Sequence, residues 1–376
     1  MRLRFLRRLC VAALVLAAGC SPTRLDEAVK VLADIDAGWG PSALKAETAA
    51  PRRRPVSYTI EGRARHGDLY APVEPARAAM VLVPGVARQG TDDPRLVAFA
   101  NTLARARFEV LVPDLGGLRD LKVGAQDIHA IADACLYLAR LDDGRRPLGV
   151  TAISYAAGPA VAALFEPGVE EGVDFALAIG GYHDLEAVLT FFTTGYHREA
   201  LGPWRHRRPN AYGKWMFVRS NAGRLESRRD RVLLSAMAGR KLDDLSADVS
   251  DLAADLGQEG RAVWALLENR DPDRVPALIA ALSPGVVEDI RRLDLKRRDL
   301  ARLGVRFILV HGHDDPIIPV TESIGLAAAL APGRAELFIL DSLDHVDPKP
   351  TGLADKIRLL RAIYTVLEIR DGVGKP

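Results

Sequence analysis

The chain has 376 residues, of which 48% are hydrophobic, and its 51 basic and 49 acidic residues give a formal net charge of +2. Four of the basic residues are arginines within positions 1–20, so the rest of the chain carries 47 basic against 49 acidic side chains. A body so close to neutral argues against nucleic acid as a partner, because binding to phosphates requires a cationic surface.

The first twenty residues, MRLRFLRRLCVAALVLAAGC, carry arginines, then an apolar run, then small residues before a cysteine. The apolar run is too short for a membrane-spanning helix and has the flanks of a secretory signal. Residues 16–20 (LAAGC) resemble the lipobox of bacterial lipoproteins. The resemblance implies a signal peptide over residues 1–19, cleavage before Cys20, and a lipid anchor on the Cys20 thiol. An uncleaved anchor and a plain secretory signal are the alternatives.

The residue after Cys20 and the other cysteines indicate in which cellular compartment the protein lies. Ser21 follows Cys20, and in an organism with two membranes the resemblance then implies attachment to the outer membrane, with the body in the periplasm. Of the three cysteines, Cys10 would leave with the signal and Cys20 would take lipid. Cys135 alone then remains, so we predict no intrachain disulfide.

Residues 20–55 are predicted to be a tether and packing arm between the membrane and the main domain. They begin with an amphipathic pattern over residues 25–35 and end in the arginine-rich segment PRRRP at 51–55. A solvated linker is the expected state of the arginine run, and contact with anionic lipid is the alternative.

From residue 56 to residue 184 the pattern is that of a sheet. Residues 56–60 alternate between apolar and polar, and residues 67–71 continue as a second strand, which predicts an antiparallel edge hairpin. Strands alternating with helices over the rest of this part predict a parallel sheet that is covered on both faces. The further strand patterns lie at 78–83, 108–113, 148–153 and 174–180, and the helical patterns lie near 94–107 and 123–141.

Ser154 directly follows the strand pattern 148–153, and an alanine-rich helical pattern begins at Tyr155. The serine is therefore predicted at a strand-to-helix corner. There a sharp turn exposes the side chain at the sheet edge, and the first free N–H groups of the helix face whatever the serine attacks. Ala152 and Ala156 are small enough for strand and helix to pack closely. An ordinary helix N-cap is the alternative role for such a serine.

Between residues 185 and 304 the sheet pattern stops and helical patterns replace it. We predict that this segment is a separate helical unit, with helices at 231–237, 242–256, 262–268, 275–282 and 286–303. From residue 305 to the end at 376 the sheet pattern returns, with one strand near 306–312, another at 334–340 and a last helix near 351–369.

Two polar loops follow these last strands. The first strand runs into HGHDDPIIP, which contains Asp314 and Asp315, and the second runs into DSLDHVDP, which contains His345. Together with Ser154, these loops resemble the α/β-hydrolase superfamily, whose nucleophile elbow is usually G-x-S-x-G and whose acid loop is usually a strand followed by H-G-x-x-D. The order Ser154, Asp315, His345 is also the superfamily's order along the chain.

The resemblance implies an α/β-hydrolase fold: a mostly parallel, doubly covered sheet with a helical cap inserted after strand six. It implies Ser154 as the nucleophile, His345 as the general base and Asp315 as the acid that orients the histidine. Asp314 and Asp184 are the alternative acids. The sequence departs from the family pattern at the two elbow glycines, because both positions are alanines here. Whether an elbow with two alanines is fully active is left open.

A second implied feature is the pair of oxyanion donors. The strand 78–83 ends in Pro84, Gly85 and Val86 at the position where relatives commonly show His-Gly-x. By resemblance, the backbone N–H groups of Val86 and Tyr155 face the developing oxyanion.

The sequence therefore predicts a membrane-anchored serine hydrolase that cleaves a small-molecule or lipid carboxylic ester through an acyl-enzyme intermediate. No cofactor is implied. His311 and His313 stand beside two aspartates, but no third or fourth ligand follows at a convincing spacing, so we predict no metal site. Two other functions remain open: an acyltransferase with the same three residues, and a non-catalytic binding or scaffold protein whose elbow has decayed.

Overall fold

The computed structural model describes residues 21–117, 120–141, 145–200, 202–345, 347–348 and 352–373. The predicted signal peptide, the lipobox and Cys20 lie outside these residues. None of the helices in the described part of the chain is long and apolar enough to cross a bilayer.

An eight-stranded sheet forms the centre of the described chain. Twelve strands are present in this part: β1 (Arg52–Ile60), β2 (Arg63–Ala71), β3 (Ala78–Val83), β4 (Phe108–Pro113), β5 (Leu148–Ile153), β6 (Phe175–Ile179), β7 (Tyr196–His197), β8 (Arg205–His206), β9 (Arg306–Gly312), β10 (Ala335–Leu340), β11 (Leu343–Asp344) and β12 (Asp347–Pro348). The large sheet has the order β1-β2-β4-β3-β5-β6-β9-β10, and β7–β8 and β11–β12 are separate two-stranded pairs. Within the large sheet, β1–β2 and β2–β4 are antiparallel and the other pairs are parallel.

Helices cover both faces of the sheet and fill the segment between β6 and β9. They are α1 (Pro22–Ala37), α2 (Ala43–Glu47), α3 (Pro94–Arg105), α4 (Gln126–Leu141), α5 (Ala157–Ala163), α6 (Leu185–Thr194), α7 (Tyr212–Asn221), α8 (Arg228–Asp243), α9 (Ser250–Ala254), α10 (Gln258–Glu268), α11 (Val275–Ala280), α12 (Pro284–Leu293), α13 (Thr321–Ala329) and α14 (Leu353–Arg370). This arrangement is the predicted α/β-hydrolase fold, so the predicted fold class is confirmed.

The burial of each strand follows from its position in the sheet. All six side chains of β3 (AAMVLV) are buried, because helices cover both faces of the central strands. In the edge strand β1 only Val56, Tyr58 and Ile60 are buried, and they alternate with exposed residues because one face of the edge is open to solvent. The sheet therefore has two separate apolar cores, one on each face.

We call the two faces of the sheet the arm face and the cap face. On the arm face, α1, α2, α3 and α14 pack against one side of β3, β4, β6, β9 and β10. On the cap face, α4, α5, α13 and the helices α6–α12 pack against the other side of the central strands. The ends of β3 and β5 lie between the two cores, at the carboxyl edge of the sheet.

The helices between β6 and β9 differ in detail from the predicted ones. The predicted helix 242–256 is absent as a unit, because α8 ends at Asp243 and α9 covers only Ser250–Ala254. The carboxylates of Asp244 and Asp248 accept backbone N–H bonds two residues ahead, from Ser246 and Ser250, and such local turns compete with a helix. The predicted helix 286–303 likewise ends at Leu293, and the β7–β8 pair was not predicted.

The residues before β1 form part of the folded body. The Asp34 carboxylate on α1 accepts hydrogen bonds from the Thr102 hydroxyl on α3 at 2.6 Å and from the Lys45 ammonium at 2.6 Å. The buried Arg370 guanidinium on α14 forms an ion pair with Glu27 and donates to the Ala106 carbonyl at 2.8 Å. The arginine run that was expected to end the linker, residues 52–54, lies in β1, where edge pairing with β2 supplies its backbone hydrogen bonds.

Candidate active site

Ser154 occupies the corner between β5 and α5. Strand β5 ends at Ile153, and a single 3₁₀ turn, Ser154–Ala156, leads into the helix. Ser154 has a φ of +61°, a left-handed conformation that costs a non-glycine residue about 1–3 kcal/mol. The pairing of β5 with β3 on one side and β6 on the other holds the corner in place against this strain.

Small residues let the strand and the helix approach at this corner. Ala152 and Ala156, which stand where the family motif has glycines, are both buried. A tight contact of the helix is at Gly158, where a Cβ atom would lie 1.8 Å from the Tyr182 Oη. That hydroxyl donates to the Leu293 carbonyl at the end of α12, at 3.1 Å. Gly158, which does not fit the motif, therefore allows Tyr182 to connect the cap to the serine-bearing helix.

His345 connects the serine to a carboxylate. Its Nε2 lies 2.6 Å from the Ser154 Oγ, and its Nδ1 lies 2.7 Å from the Asp315 Oδ2. A carboxylate oxygen can only accept, so Nδ1 carries the proton and Nε2 is free to accept the serine hydroxyl. His345 is buried and has a φ of +53°. A Cβ on Gly180 would lie 3.4 Å from its Nδ1, so the end of β6 packs against the ring.

Asp315 is fully buried, and its hydrogen-bond partners other than His345 come from the loop and strand around it. Its Oδ1 accepts the backbone N–H groups of Ile317 at 2.8 Å and Ile318 at 2.9 Å. Burial alone would raise the pKa of this carboxyl, but hydrogen bonds from His311 and His345 outweigh burial and hold the pKa well below its usual range. Asp315 is therefore ionised over the whole ordinary pH range, as a group that orients a histidine must be.

The two alternative acids lie elsewhere. Asp314 is exposed, and its carboxylate forms an ion pair with Arg207 at 2.6 Å. Asp184 accepts the backbone N–H of Ala187 as the N-cap of α6 and forms an ion pair with Lys296 at 2.6 Å. The structure thus brings Asp315 to the histidine and gives each alternative acid a different partner.

Val86 and Tyr155 lie on the wall of the cavity that contains Ser154 and His345. Val86 follows the end of β3, and the register places Val83 of β3 opposite Ala152 of β5. The two segments therefore leave the sheet side by side. Tyr155 is the second residue of the turn Ser154–Ala156. Both remain predicted as backbone donors to an oxyanion.

The cavity has a volume of about 860 Å³, near the upper end of the ~300–1,000 Å³ typical of small-molecule sites. Aliphatic and aromatic side chains make up most of its wall, and they come from both faces of the sheet. On the cap face the wall includes Phe192, Met216 and Ile317, and on the arm face it includes Ile179 and Ile363. The cavity that contains Ser154 is thus mostly apolar on both faces of the sheet.

Sequence reasoning missed two residues that support the site. His311 stands behind Asp315: its Nε2 lies 2.9 Å from the Ile318 carbonyl and 3.3 Å from the Asp315 Oδ2, and its Nδ1 lies 2.6 Å from the Ser323 Oγ. The signal was available, because His311 precedes Asp315 by four residues. The sequence places His311 in the acid loop, as the histidine of the H-G-x-x-D pattern, but does not predict its contact with the carboxylate.

Glu322 is the second missed residue. Its buried carboxylate on α13 accepts the backbone N–H groups of His183 at 3.1 Å and Asp184 at 2.8 Å, where the chain leaves the sheet for the cap. Burial raises the pKa of Glu322 to about 8 despite these two hydrogen bonds. Nothing in the local sequence distinguishes this glutamate from a solvated helix residue.

His313 does not contribute to a metal site in this structure. Its exposed ring lies 3.0 Å from the Asp314 carboxylate, on the outside of the loop. Among the described residues, no group of three or more histidines, cysteines, aspartates or glutamates is arranged to hold a metal ion.

No protein-family model matches the chain, and no curated protein matches it. Solved structures resemble it at low identity. An acylaminoacyl peptidase from Pyrococcus horikoshii is 11% identical with a TM-score of 0.47, over 87% of this chain and 42% of that chain. A serine hydrolase from Cycloclasticus zankles is 12% identical with a TM-score of 0.44, over 86% of this chain and 100% of that one. An esterase from Pyrobaculum calidifontis is 14% identical with a TM-score of 0.44, over 93% and 92%.

The chain spans about two fifths of the length of the acylaminoacyl peptidase that it resembles. At these identities and TM-scores, the assignment of a function depends on the geometry of the site itself.

Proposed function

We propose that this protein is a serine hydrolase that cleaves a carboxylic ester, with Ser154 as nucleophile, His345 as general base and Asp315 as orienting acid. The observation that carries the proposal is the continuous pair of hydrogen bonds, 2.6 Å from Ser154 Oγ to His345 Nε2 and 2.7 Å from His345 Nδ1 to Asp315. A serine hydroxyl is a poor nucleophile near neutral pH, and an imidazole in hydrogen-bond reach removes that obstacle.

In the first half of the reaction, Ser154 Oγ attacks the ester carbonyl carbon as its proton passes to His345 Nε2. The carbonyl oxygen becomes an oxyanion, which the N–H groups of Val86 and Tyr155 face in this proposal. Collapse of the tetrahedral intermediate breaks the bond to the alcohol, which takes the proton from Nε2 and leaves. The ionised Asp315 stabilises the imidazolium while it exists.

In the second half, water attacks the acyl group on Ser154 and gives a proton to His345. The second intermediate collapses, the proton returns to Ser154 Oγ, and the carboxylic acid leaves. Each proton transfer between Ser154 and His345 uses groups already in hydrogen-bond reach in the resting site.

The character of the cavity wall favours an ester of an apolar acid over a peptide. Peptide recognition depends on main-chain hydrogen bonds to a sheet edge or to polar side chains. Most of the wall of the cavity that contains Ser154 is instead formed by apolar side chains such as Val188, Phe192 and Phe217, which offer no such partners.

We also propose that the protein is anchored to the bacterial cell envelope through lipid on Cys20, on the periplasmic side of the outer membrane. Ser21, the residue after Cys20, contacts the folded body, because its N–H donates to the Tyr364 hydroxyl at 2.9 Å. Exposed apolar side chains lie on the two helices that meet there: Leu25 and Val29 on α1, and Leu353 and Ile357 on α14. An apolar surface beside an anchor point suits contact with a membrane.

The experiment is hydrolysis of 4-nitrophenyl butanoate by the wild type, Ser154→Ala and Ser57→Ala. Ser57 is a matched control, because its Oγ lies 3.0 Å from the His66 Nδ1 on the exposed surface of β1 and β2. We expect kcat to fall by about 10⁶ in Ser154→Ala and to stay unchanged in Ser57→Ala. Turnover retained in Ser154→Ala would remove this serine from the mechanism.

A further inference from the structure

The cavity that contains Ser154 continues far along the arm face of the sheet. Phe108 on this wall is the first residue of β4, and the register pairs it with Ala78, the first residue of β3. The wall near the serine includes Pro84, six residues further along. At a rise of about 3.3 Å per residue, this part of the cavity extends about 20 Å from the carboxyl edge of the sheet.

Helix α3, which lies opposite the sheet, gives a similar length for the cavity from a separate set of residues. Wall residues on and next to α3 run from Pro94 to Ala106, and at 1.5 Å per residue these twelve steps span about 18 Å. The space therefore runs alongside α3 for the full depth of the sheet. We call this part of the cavity the arm-side channel.

The chemistry of the arm-side channel is almost wholly apolar. The sheet contributes side chains such as Leu177, Ile179 and Val310, and α14 contributes Ala362 and Ile363. Ile179 and Ile363 are only partly buried although they belong to the core of this face. Partial exposure at the centre of a doubly covered sheet means that the helices do not fill the space above it.

Two of the polar side chains on the wall of this channel, Thr102 and Asp93, are already paired. The Thr102 hydroxyl donates to Asp34 at 2.6 Å, and the Asp93 carboxylate accepts backbone N–H groups at the start of α3. A ligand in the channel thus meets no unpaired hydrogen-bonding side chain among these residues, and a polar or charged chain would lose its hydration without compensation.

We propose that the arm-side channel binds the acyl chain of the substrate, and that this chain is about sixteen carbons long. An extended chain advances about 1.2 Å per bond, so a depth of about 20 Å corresponds to about sixteen carbons. The inference rests on the proposed function, since it places the scissile carbonyl at Ser154 and the hydrocarbon tail beside α3 and α14. The alcohol part then lies on the cap face.

The first test measures kcat/KM of the wild type for 4-nitrophenyl esters from two to eighteen carbons. We expect kcat/KM to rise with chain length up to about sixteen carbons, because each buried methylene adds binding in the transition state. A maximum at two to four carbons, with rejection of longer esters, would overturn the inference. It would leave the proposed function intact, whereas absence of any hydrolysis of the butanoate would refute the proposed function itself.

The second test narrows the channel at its two sides. Ala362→Phe and Ala98→Phe place a ring in the channel from α14 and from α3, and Val188→Phe places one on the cap side as a matched control. We expect the two alanine variants to lose about tenfold or more in kcat/KM for the hexadecanoate ester and to keep it for the butanoate. Their butanoate activity shows that they are folded. If only Val188→Phe discriminated by chain length, the acyl chain would lie on the cap side.

A long acyl chain reaches the enzyme either as a soluble ester or from a membrane lipid. To separate the two sources, release of fatty acid from phosphatidylcholine vesicles is compared with hydrolysis of monomeric soluble esters of the same acyl chain. Hydrolysis of either one with the same chain-length maximum supports the channel. Equal rates for short and long chains in both arms would contradict it.

Discussion

At the scale of single residues, the site depends on the proton at His345 Nδ1. That proton points at Asp315, and its position leaves Nε2 free to accept the hydroxyl of Ser154. The carboxylate is itself fixed by two backbone N–H groups and by His311, so it cannot rotate away without losing several hydrogen bonds. The tautomer of the base is thus set by the loop that follows β9.

Asp315→Asn tests this dependence. The amide oxygen can still accept the backbone N–H groups, but the amide nitrogen donates to Nδ1, which moves the imidazole proton to Nε2 and prevents it from accepting from Ser154. We expect kcat to fall by about 10⁴ with the fold retained, measured with 4-nitrophenyl butanoate.

Asp314→Asn is the matched control for Asp315→Asn. Asp314 is adjacent in sequence but exposed, and surface substitutions usually change stability by no more than about 0.5 kcal/mol. We expect its kcat to equal that of the wild type. A large loss in Asp314→Asn with activity kept in Asp315→Asn would exchange the roles of the two residues.

At the scale of elements, α13 holds the start of the cap. Glu322 on this helix accepts the N–H groups of residues 183 and 184, and Asp184 in turn caps α6 and pairs with Lys296. One buried carboxyl therefore connects the helix after the acid loop to the point where the cap begins. Tyr182 makes a second connection through the Leu293 carbonyl.

The raised pKa of Glu322 predicts how stability depends on pH. The group titrates at about 8 in the folded protein and near 4.3 in the unfolded chain. Between these values the folded state binds the extra proton, so the free energy of unfolding of the wild type falls as the pH rises through this window. Glu322→Gln keeps an acceptor for both N–H groups and does not titrate. Its free energy of unfolding therefore lacks the fall with pH that Glu322 causes in the wild type.

Urea unfolding at about pH 5, 6.5 and 8 measures the effect. We expect Glu322→Gln to gain in stability relative to the wild type at each step upward in pH. Glu288→Gln, at an exposed ion pair with Arg291, is the control and should track the wild type. Parallel pH profiles for Glu322→Gln and the wild type would contradict the assignment of a raised pKa.

At the scale of the whole molecule, local patterns in the sequence are enough to predict the strands of the sheet. The run AAMVLV and the alternation of Val56, Tyr58 and Ile60 predict a central strand and an edge strand, because their burial depends only on position in the sheet. The order of Ser154, Asp315 and His345 came from resemblance to a family, and the structure brings these three residues together. The meeting of Ser154 with Asp315 and His345 depends on the crossover of more than a hundred residues between β6 and β9, which no local pattern encodes.

Features made by distant contacts could not be predicted. The arm-side channel lies between α1, α3, α14 and the sheet, and it exists because helices from three parts of the chain leave a gap. The roles of Asp34 and Arg370 in fastening α1 likewise depend on partners 68 and 343 residues away. The predicted helix 242–256 within the cap was wrong for a different reason, since turns at Asp244 and Asp248 interrupt a continuous apolar pattern.

The account depends most on Ser154 being made nucleophilic by His345, and labelling with a fluorophosphonate probe tests this directly. The probe reacts with an activated serine hydroxyl, and peptide mass mapping identifies the modified residue. We predict one label, on the peptide that contains Ser154, in the wild type and in Asp314→Asn, and its loss in Ser154→Ala and His345→Ala. A label on another serine, or labelling of Ser154 that persists in His345→Ala at the wild-type rate, would contradict the mechanism.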